Sequence, residues 1–231
     1  MFTLDQVVPW GRSFDEYRRM FALSGADLQS SILGCADGPA SFNAEATRLG
    51  ARVVSCDPLY RHEADEIGQR IDATFDEMIE QTRQNADEFV WDSIASVEDL
   101  ARLRRAAMDR FLDDYETGKL QGRYVAAELP ATRFADASFD LAVCSHFLFL
   151  YGGQLNADFH VAAVRDLVRV AREVRIFPLL ALGAQPSPHV PVVMEAMRDD
   201  GCDATIETVA YEFVRGGNQM MRIRVLRATL R

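Results

Sequence analysis

Lysine is nearly missing from this chain. Lys119 is the only one among 25 basic residues. Schiff-base chemistry therefore has a single candidate, and the G-K-[ST] ending of a phosphate-binding loop does not occur. Cysteine is sparse too: Cys35, Cys56, Cys144 and Cys202 lie far apart, without C-x-x-C spacing. Three of them fall on expected strands and read as buried reduced thiols. The four histidines, His62, His146, His160 and His189, show neither H-x-x-x-H nor H-E-x-x-H spacing, so no metal site is expected. Long apolar runs are absent. The stretches near Phe147 to Tyr151 and Ile176 to Leu182 are strand-sized, far short of the roughly 18 residues of a membrane span. The first residues, MFTLDQVVPWGRSFDEYRRMF, lack a basic segment followed by an apolar one, so they do not read as a signal peptide. A cytoplasmic location and no membrane partner are the expectation. Positive charge is in deficit as well, with a net charge of −10. Non-specific nucleic-acid binding needs a basic surface, so bulk nucleic acid is not an expected partner. Much of the deficit is local: 16 acidic residues stand against 9 basic ones between Arg61 and Arg123.

What is present is organised around Ser31 to Tyr60. A short apolar strand, Ser31 to Cys35, runs into a tight turn at Asp37, Gly38 and Pro39. A helix over about 41–49 follows, then a second strand, Arg52 to Cys56, ending on Asp57. In a parallel sheet, ligands bind at the carboxyl ends of strands. Small turn residues let backbone approach a ligand closely. Asp57, about twenty residues beyond the turn, is placed to accept hydrogen bonds from a ribose. The G-x-G-x-x-G dinucleotide fingerprint is not there.

Gly34, Ala36, Gly38 and Ala40 occupy alternate positions, with Pro39 and Ser41-Phe42 beside them. This stretch resembles motif I of the class I S-adenosylmethionine-dependent methyltransferases, D-x-G-x-G-x-G, in a degenerate form. The acidic position is Gly34, and two of the glycines are alanines. In that family the acidic residue helps to hold the amino-acid end of the cofactor, a role Asp37 is placed to take in part. A second stretch is similar to the same family. Tyr124 to Ala127 reads as a strand ending at Glu128, the position that meets the adenine edge, and Asp136-Ala137-Ser138-Phe139-Asp140 forms the turn into a strand from Leu141 to Ser145. The resemblance implies a cofactor site of Gly34, Cys35, Ala36, Asp37, Gly38, Asp57, Pro58, Glu128, Leu129 and Ser145. His146, at the end of the fourth strand, is a candidate general base, with hydrogen-bonded structural duty as its alternative. Phe147 and Tyr151 are candidates to line the pocket.

The remaining segments complete the pattern. Residues 1–30 read as helical after a short lead, with Ser13 and Glu16 as a capping box, and Trp10, Tyr17 and Phe21 either touch the crevice or pack on the sheet. Residues 61–123 hold two or three amphipathic helices, with a cap at Ser96 and Asp99. The insertion is expected to act as a lid or substrate-binding element or, alternatively, as a dimer interface or a solvated buttress. A helix over Asp158 to Glu173, with Asp166 outward, leads to a strand over Val174 to Leu182. A helix over Val192 to Asp199 ends at Gly201. A hairpin then pairs Ala204 to Phe213 with Gln219 to Leu226 around Arg215-Gly216-Gly217-Asn218. The fold expected is an α/β Rossmann-like, doubly wound seven-stranded sheet with an antiparallel last strand and a helical insertion after strand two, all within one methyltransferase-like domain. The resemblance, read as a bacterial-type member, implies S-adenosylmethionine as cofactor and methyl transfer to an acceptor, with a small molecule expected. The alternatives are a binding protein that keeps the fold without transfer and, on weaker grounds, a nicotinamide-dependent oxidoreductase.

Overall fold

The computed structural model describes residues 8–226. Along the chain the elements are α1 (Phe14–Met20), β1 (Ser31–Cys35), α2 (Phe42–Arg48), β2 (Arg52–Cys56), α3 (Ala64–Gln84) and α4 (Val97–Leu120). They continue with β3 (Tyr124–Val125), β4 (Phe139–Ser145), α5 (Ala157–Val170), β5 (Ala171–Phe177), the short pair β6 (Leu180–Ala181) and β7 (Gln185–Pro186), α6 (His189–Asp199), β8 (Cys202–Thr208) and β9 (Gln219–Val225). The main sheet has seven strands in the order β3-β2-β1-β4-β5-β9-β8. All pair in parallel up to β5, and β9 is antiparallel to both β5 and β8. The chain order reverses between β1 and β4, which opens a crevice at their carboxyl ends. This is the expected seven-stranded architecture, with α3 and α4 inserted after β2.

Alternation along the buried strands feeds two cores. Leu33, Ala142, Cys144, Val174 and Ile176 face α5 and α6, where Leu167 and Met197 close the packing. Ile32, Val53, Leu141 and Val143 face the opposite side, with Tyr17, Met20 and Phe42 of α1 and α2. A third cluster ties α3 and α4 to the sheet edge through Tyr60, Ile67, Met108, Phe111, Tyr115 and Tyr124. Tyr115 Oη donates to the carbonyls of Tyr60 and His62 at 2.9 and 2.8 Å, fixing α4 to the chain leaving β2.

Several boundaries differ from expectation. Within the described part of 1–30, apart from a 3-10 turn at Asp27–Gln29, the α-helix is confined to α1. Its Ser13–Glu16 capping box is present, and Ser96 accepts from the Asp99 N–H at the start of α4. The third strand stops at Val125 rather than Ala127, since only Ser55 and Cys56 of β2 are in register to pair with it. The fifth strand starts at Ala171 because Phe139 of β4 already pairs there, and it ends before Pro178, which has no N–H for the ladder. Asp166 points inward, not outward: its Oδ2 accepts from the Thr132 N–H at 2.8 Å and from Thr132 Oγ1 at 2.7 Å. The hairpin strand β8 stops at Thr208, leaving 209–218 as a loop whose Tyr211 and Phe213 turn into the core. No helix among the described residues is long and apolar enough to cross a membrane.

Candidate functional site

The carboxyl ends of the central strands are level with one another. Cys35 is in register with Cys56 on one side and Cys144 on the other, so three thiols form a row across the sheet. Cys35 and Cys56 bring their Sγ atoms to 3.4 Å, and all four cysteines are free and buried. Above this row lies a cavity of about 720 Å³. Its size is that of a cofactor or substrate site.

The turn after β1 forms its floor. Ala36 has φ 56° and Gly38 φ 53°, both in the left-handed region that glycine adopts without cost. A β-carbon built on Gly38 would project into open space, so backbone is presented bare to the cavity. Asp57, at the end of β2, pins this turn: its Oδ2 accepts from the Gly38 N–H at 2.9 Å, and its Oδ1 caps the next turn at the Leu59 N–H, 2.8 Å away. Burial pushes the Asp57 carboxyl up, against the pull of these two N–H groups.

Gly34 leaves room for the carboxylate expected to stand in for the missing acidic residue. A β-carbon there would land on the Asp37 carboxylate, which folds back over β1. Asp37 is buried, accepting from Tyr17 Oη at 2.8 Å and from Ser55 Oγ at 2.6 Å. Burial drives its carboxyl up to about 7, with the Asp57 charge adding to the rise and the two hydroxyl donors opposing it. A carboxylate therefore still sits over the first strand, supplied from three residues later in the chain.

Of the residues singled out above, Cys35, Ala36, Asp37, Gly38, Asp57, Pro58, Glu128, Leu129, Ser145 and His146 all line the cavity, as do Phe147 and Tyr151. Gly34 does not, because Asp37 covers it. Trp10 and Tyr17 reach the cavity, while Phe21 packs in the core against Phe177. Glu128 is largely exposed at the rim, 3.7 Å from the Arg61 guanidinium. His146 has φ 51°, and its Nδ1 lies 2.9 Å from Ser145 Oγ. Burial, together with the nearby charges of Arg12 and Arg104, holds its imidazole well below the ordinary histidine value, so it is neutral. Among the described residues no cluster of three His, Cys, Asp or Glu is placed to hold a metal ion.

Sequence reasoning missed the opposite wall. Arg104 of α4 is buried and donates Nη1 and Nη2 to the two oxygens of Glu16 on α1, each at 2.7 Å, and Tyr211 Oη adds a third bond to Glu16 at 2.8 Å. Arg12 lies beside this group on the cavity wall. The four residues come from three distant segments, and no spacing in the chain connects them.

The sheet order and the crevice define an α/β fold of the S-adenosylmethionine-dependent methyltransferase kind. Solved structures similar to the chain include a magnesium protoporphyrin IX methyltransferase from Synechocystis PCC 6803 with bound SAM, 12% identical over 92% of this chain and 91% of that one, TM-score 0.46. A SAM-dependent methyltransferase from Aquifex aeolicus is 11% identical over 91% of this chain and 93% of that one, TM-score 0.45. A 1,6-didemethyltoxoflavin-N1-methyltransferase from Burkholderia thailandensis is 15% identical over 91% and 79%, TM-score 0.45. No family model matches the chain. The chain belongs to the same family as the uncharacterised protein MJ0045 of Methanocaldococcus jannaschii, to which it is 33% identical over 222 residues, 96% of this chain and 97% of that protein. That relative is archaeal, where a bacterial-type member was expected.

Proposed function

We propose that the protein transfers a methyl group from S-adenosylmethionine to a small-molecule acceptor. The observation that carries this reading is the bare Gly38 turn held by Asp57 at the mouth of the switch-point crevice. The cofactor fits the residues present. Asp57 would receive the ribose hydroxyls on the lone pairs left after its two backbone bonds. Glu128 and Leu129 would border the adenine, and Asp37 with Tyr17 would face the amino-acid end.

When bound, S-adenosylmethionine supplies a methyl group already activated on its sulfonium. The chain's own work is then alignment and exclusion of water. Met78, Thr82, Leu100 and Arg104 of the insertion line the cavity, and we assign α3 and α4 the role of a lid over it. His146 stands at the end of β4 as the proton acceptor nearest the transfer, a weak base while burial and the Arg12 and Arg104 charges act on it. One observation favours a binding protein without transfer as the second reading: both Asp57 oxygens already serve the backbone.

Calorimetric titration with S-adenosylmethionine and S-adenosylhomocysteine tests the proposal on wild type, Asp57→Ala and the rim variant Glu128→Ala. Micromolar binding that collapses in Asp57→Ala and weakens several-fold in Glu128→Ala is expected. Folded wild-type protein that binds neither ligand would end this reading. Binding of both with no transfer to any acceptor would favour the second.

A further inference from the structure

Among the described residues the Arg12 guanidinium has no ion-pair partner within contact distance, and Glu16 acts on it only from further off. Among the described residues its hydrogen bond is from Nη1 to the Trp10 carbonyl, at 3.2 Å. Its Nε is buried with no partner. That leaves the Nε–Nη2 edge, the side of the guanidinium that matches two carboxylate oxygens at once. The nearby carboxylate cannot serve it. Glu16 already takes both terminal nitrogens of Arg104, the Tyr211 hydroxyl and the Ser13 N–H. The Nε of Arg104 is likewise buried and unpartnered. Two guanidiniums thus share one saturated carboxylate, and His146 beside them is neutral.

Arg104 is buried and Arg12 is half-buried with its Nε out of reach of solvent. Charge removed from water without a partner is costly, so a wall of this kind is complementary to an anion. The surrounding surface narrows the anion's nature. Trp10, Phe147, Tyr151 and Phe177 line the same cavity and offer aromatic faces rather than further charges. The groups that feel the Arg12 charge are Glu16, Tyr17, His146, Tyr151 and Tyr211. His146 is the residue assigned above to the methyl-accepting nucleophile. Of the groups assigned to the cofactor, Tyr17 shares this charge, while Asp37 and Asp57 answer to burial and to other partners, so the test must separate acceptor from cofactor.

We propose that the methyl acceptor is a small organic acid with an apolar, aromatic-sized body, whose carboxylate seats on the Arg12 Nε–Nη2 edge. This rests on the methyltransferase reading for the word acceptor, but the acid seat can be tested without it.

The probe is a panel of aryl and alkyl carboxylates, each paired with its primary amide, measured by ligand-observed NMR on the protein saturated with S-adenosylhomocysteine. Acids are expected to bind wild type about tenfold or more tightly than their amides, the usual scale for a charge-assisted pair. Arg12→Gln should erase that preference and Arg12→Lys should keep part of it, with thermal unfolding showing both variants folded. The proposal is overturned if wild type shows no preference for acids, or if Arg12→Gln retains one. It is overturned too if Arg12→Gln weakens S-adenosylhomocysteine but not methylthioadenosine, which lacks the carboxylate, for Arg12 would then belong to the cofactor. If wild type fails to bind S-adenosylhomocysteine at all, the methyltransferase reading fails. The acid-against-amide comparison, run on the protein alone, still decides on Arg12.

Discussion

Asp37 with Asp57, and Glu16 with Arg104 and Arg12, are two charge clusters at the crevice, yet they balance charge differently. On the acidic side every hydrogen bond to Asp37 or Asp57 comes from a neutral donor: the Tyr17 and Ser55 hydroxyls and the N–H groups of Gly38 and Leu59. Those donors do not offset burial, and the Asp37 carboxyl rises to about 7. On the basic side burial also acts to raise Glu16, but the two-pronged Arg104 contact outweighs it and holds the carboxyl at about 2. A proton serves as counter-ion on one side, a guanidinium on the other. The first side is set to change charge near neutral pH. The second keeps its charge and clamps the insertion to the N-terminal helix.

The sharpest way to break this contrast is Arg104→Met. It strands a buried carboxylate, for which losses of about 3–5 kcal/mol are usual. The pH dependence follows from the sign of the shift. Glu16 is held below its ordinary value of 4.5, so its contribution is complete above that pH and is lost as pH falls toward 2. Wild type should shed on the order of 3 kcal/mol over that window, and the variant should not. Urea unfolding from pH 2 to 6 reads both. A cost under about 1 kcal/mol would mean that Tyr211 and Ser13 alone satisfy Glu16, and the two sides would then be alike.

Gly34→Ala attacks the acidic side. Its β-carbon displaces the Asp37 carboxylate and with it two buried hydrogen bonds. Overpacking and lost bonds together put the expected cost at about 2–4 kcal/mol. The exchange Gly34→Asp with Asp37→Gly returns a carboxylate to the same region from the strand itself and should recover part of the loss. If Gly34→Ala is neutral in thermal unfolding, Asp37 does not depend on the space over that glycine.

Asp37→Asn should be milder and should depend on pH. A carboxyl raised from 3.8 to about 7 binds its proton more tightly in the folded state. It therefore favours folding at low pH, and that benefit is lost as pH rises through 7. The variant, with nothing to ionise, should gain on wild type by up to about 4 kcal/mol between pH 4 and pH 8. A constant difference across that range would place an undetected cation near Asp37.

The acidic side was readable in the chain because its parts are local. A strand, a turn of small residues and an aspartate closing the next strand lie within Ser31 to Tyr60, and parallel pairing brings strand ends together by rule. The hairpin that closes the sheet was visible for the same reason, through alternation and turn residues. The replacement of a carboxylate at 34 by Asp37 was legible in part, but the route, a side chain folding back over its own strand, is not encoded in spacing. The other cluster escaped. The basic side joins Arg12, Glu16, Arg104 and Tyr211 across the whole chain, and each in isolation looks like an ordinary surface charge or core tyrosine. A hint did exist in the amphipathic pattern of α4, where Arg104 occupies a position on the apolar face among Leu100, Ala107, Met108 and Phe111.

Glu128 supplies the smallest expected effect and a control for the whole contrast. It lines the same crevice, but its side chain is 66% exposed and its partner Arg61 is 58% exposed, 3.7 Å away. Solvent screens such a pair, and surface ion pairs of this kind contribute about 0.5 kcal/mol or less. Glu128→Ala should therefore leave the unfolding midpoint unmoved, in low salt and in high, while any loss of S-adenosylhomocysteine binding is read cleanly as a contact at the rim. Arg61 lines the crevice and its charge draws the Asp57 carboxyl down against burial, without a hydrogen bond to it. A destabilisation above about 1 kcal/mol in Glu128→Ala would show that the Arg61–Glu128 pair is shielded from solvent, and the distinction from the Glu16 cluster would be one of degree.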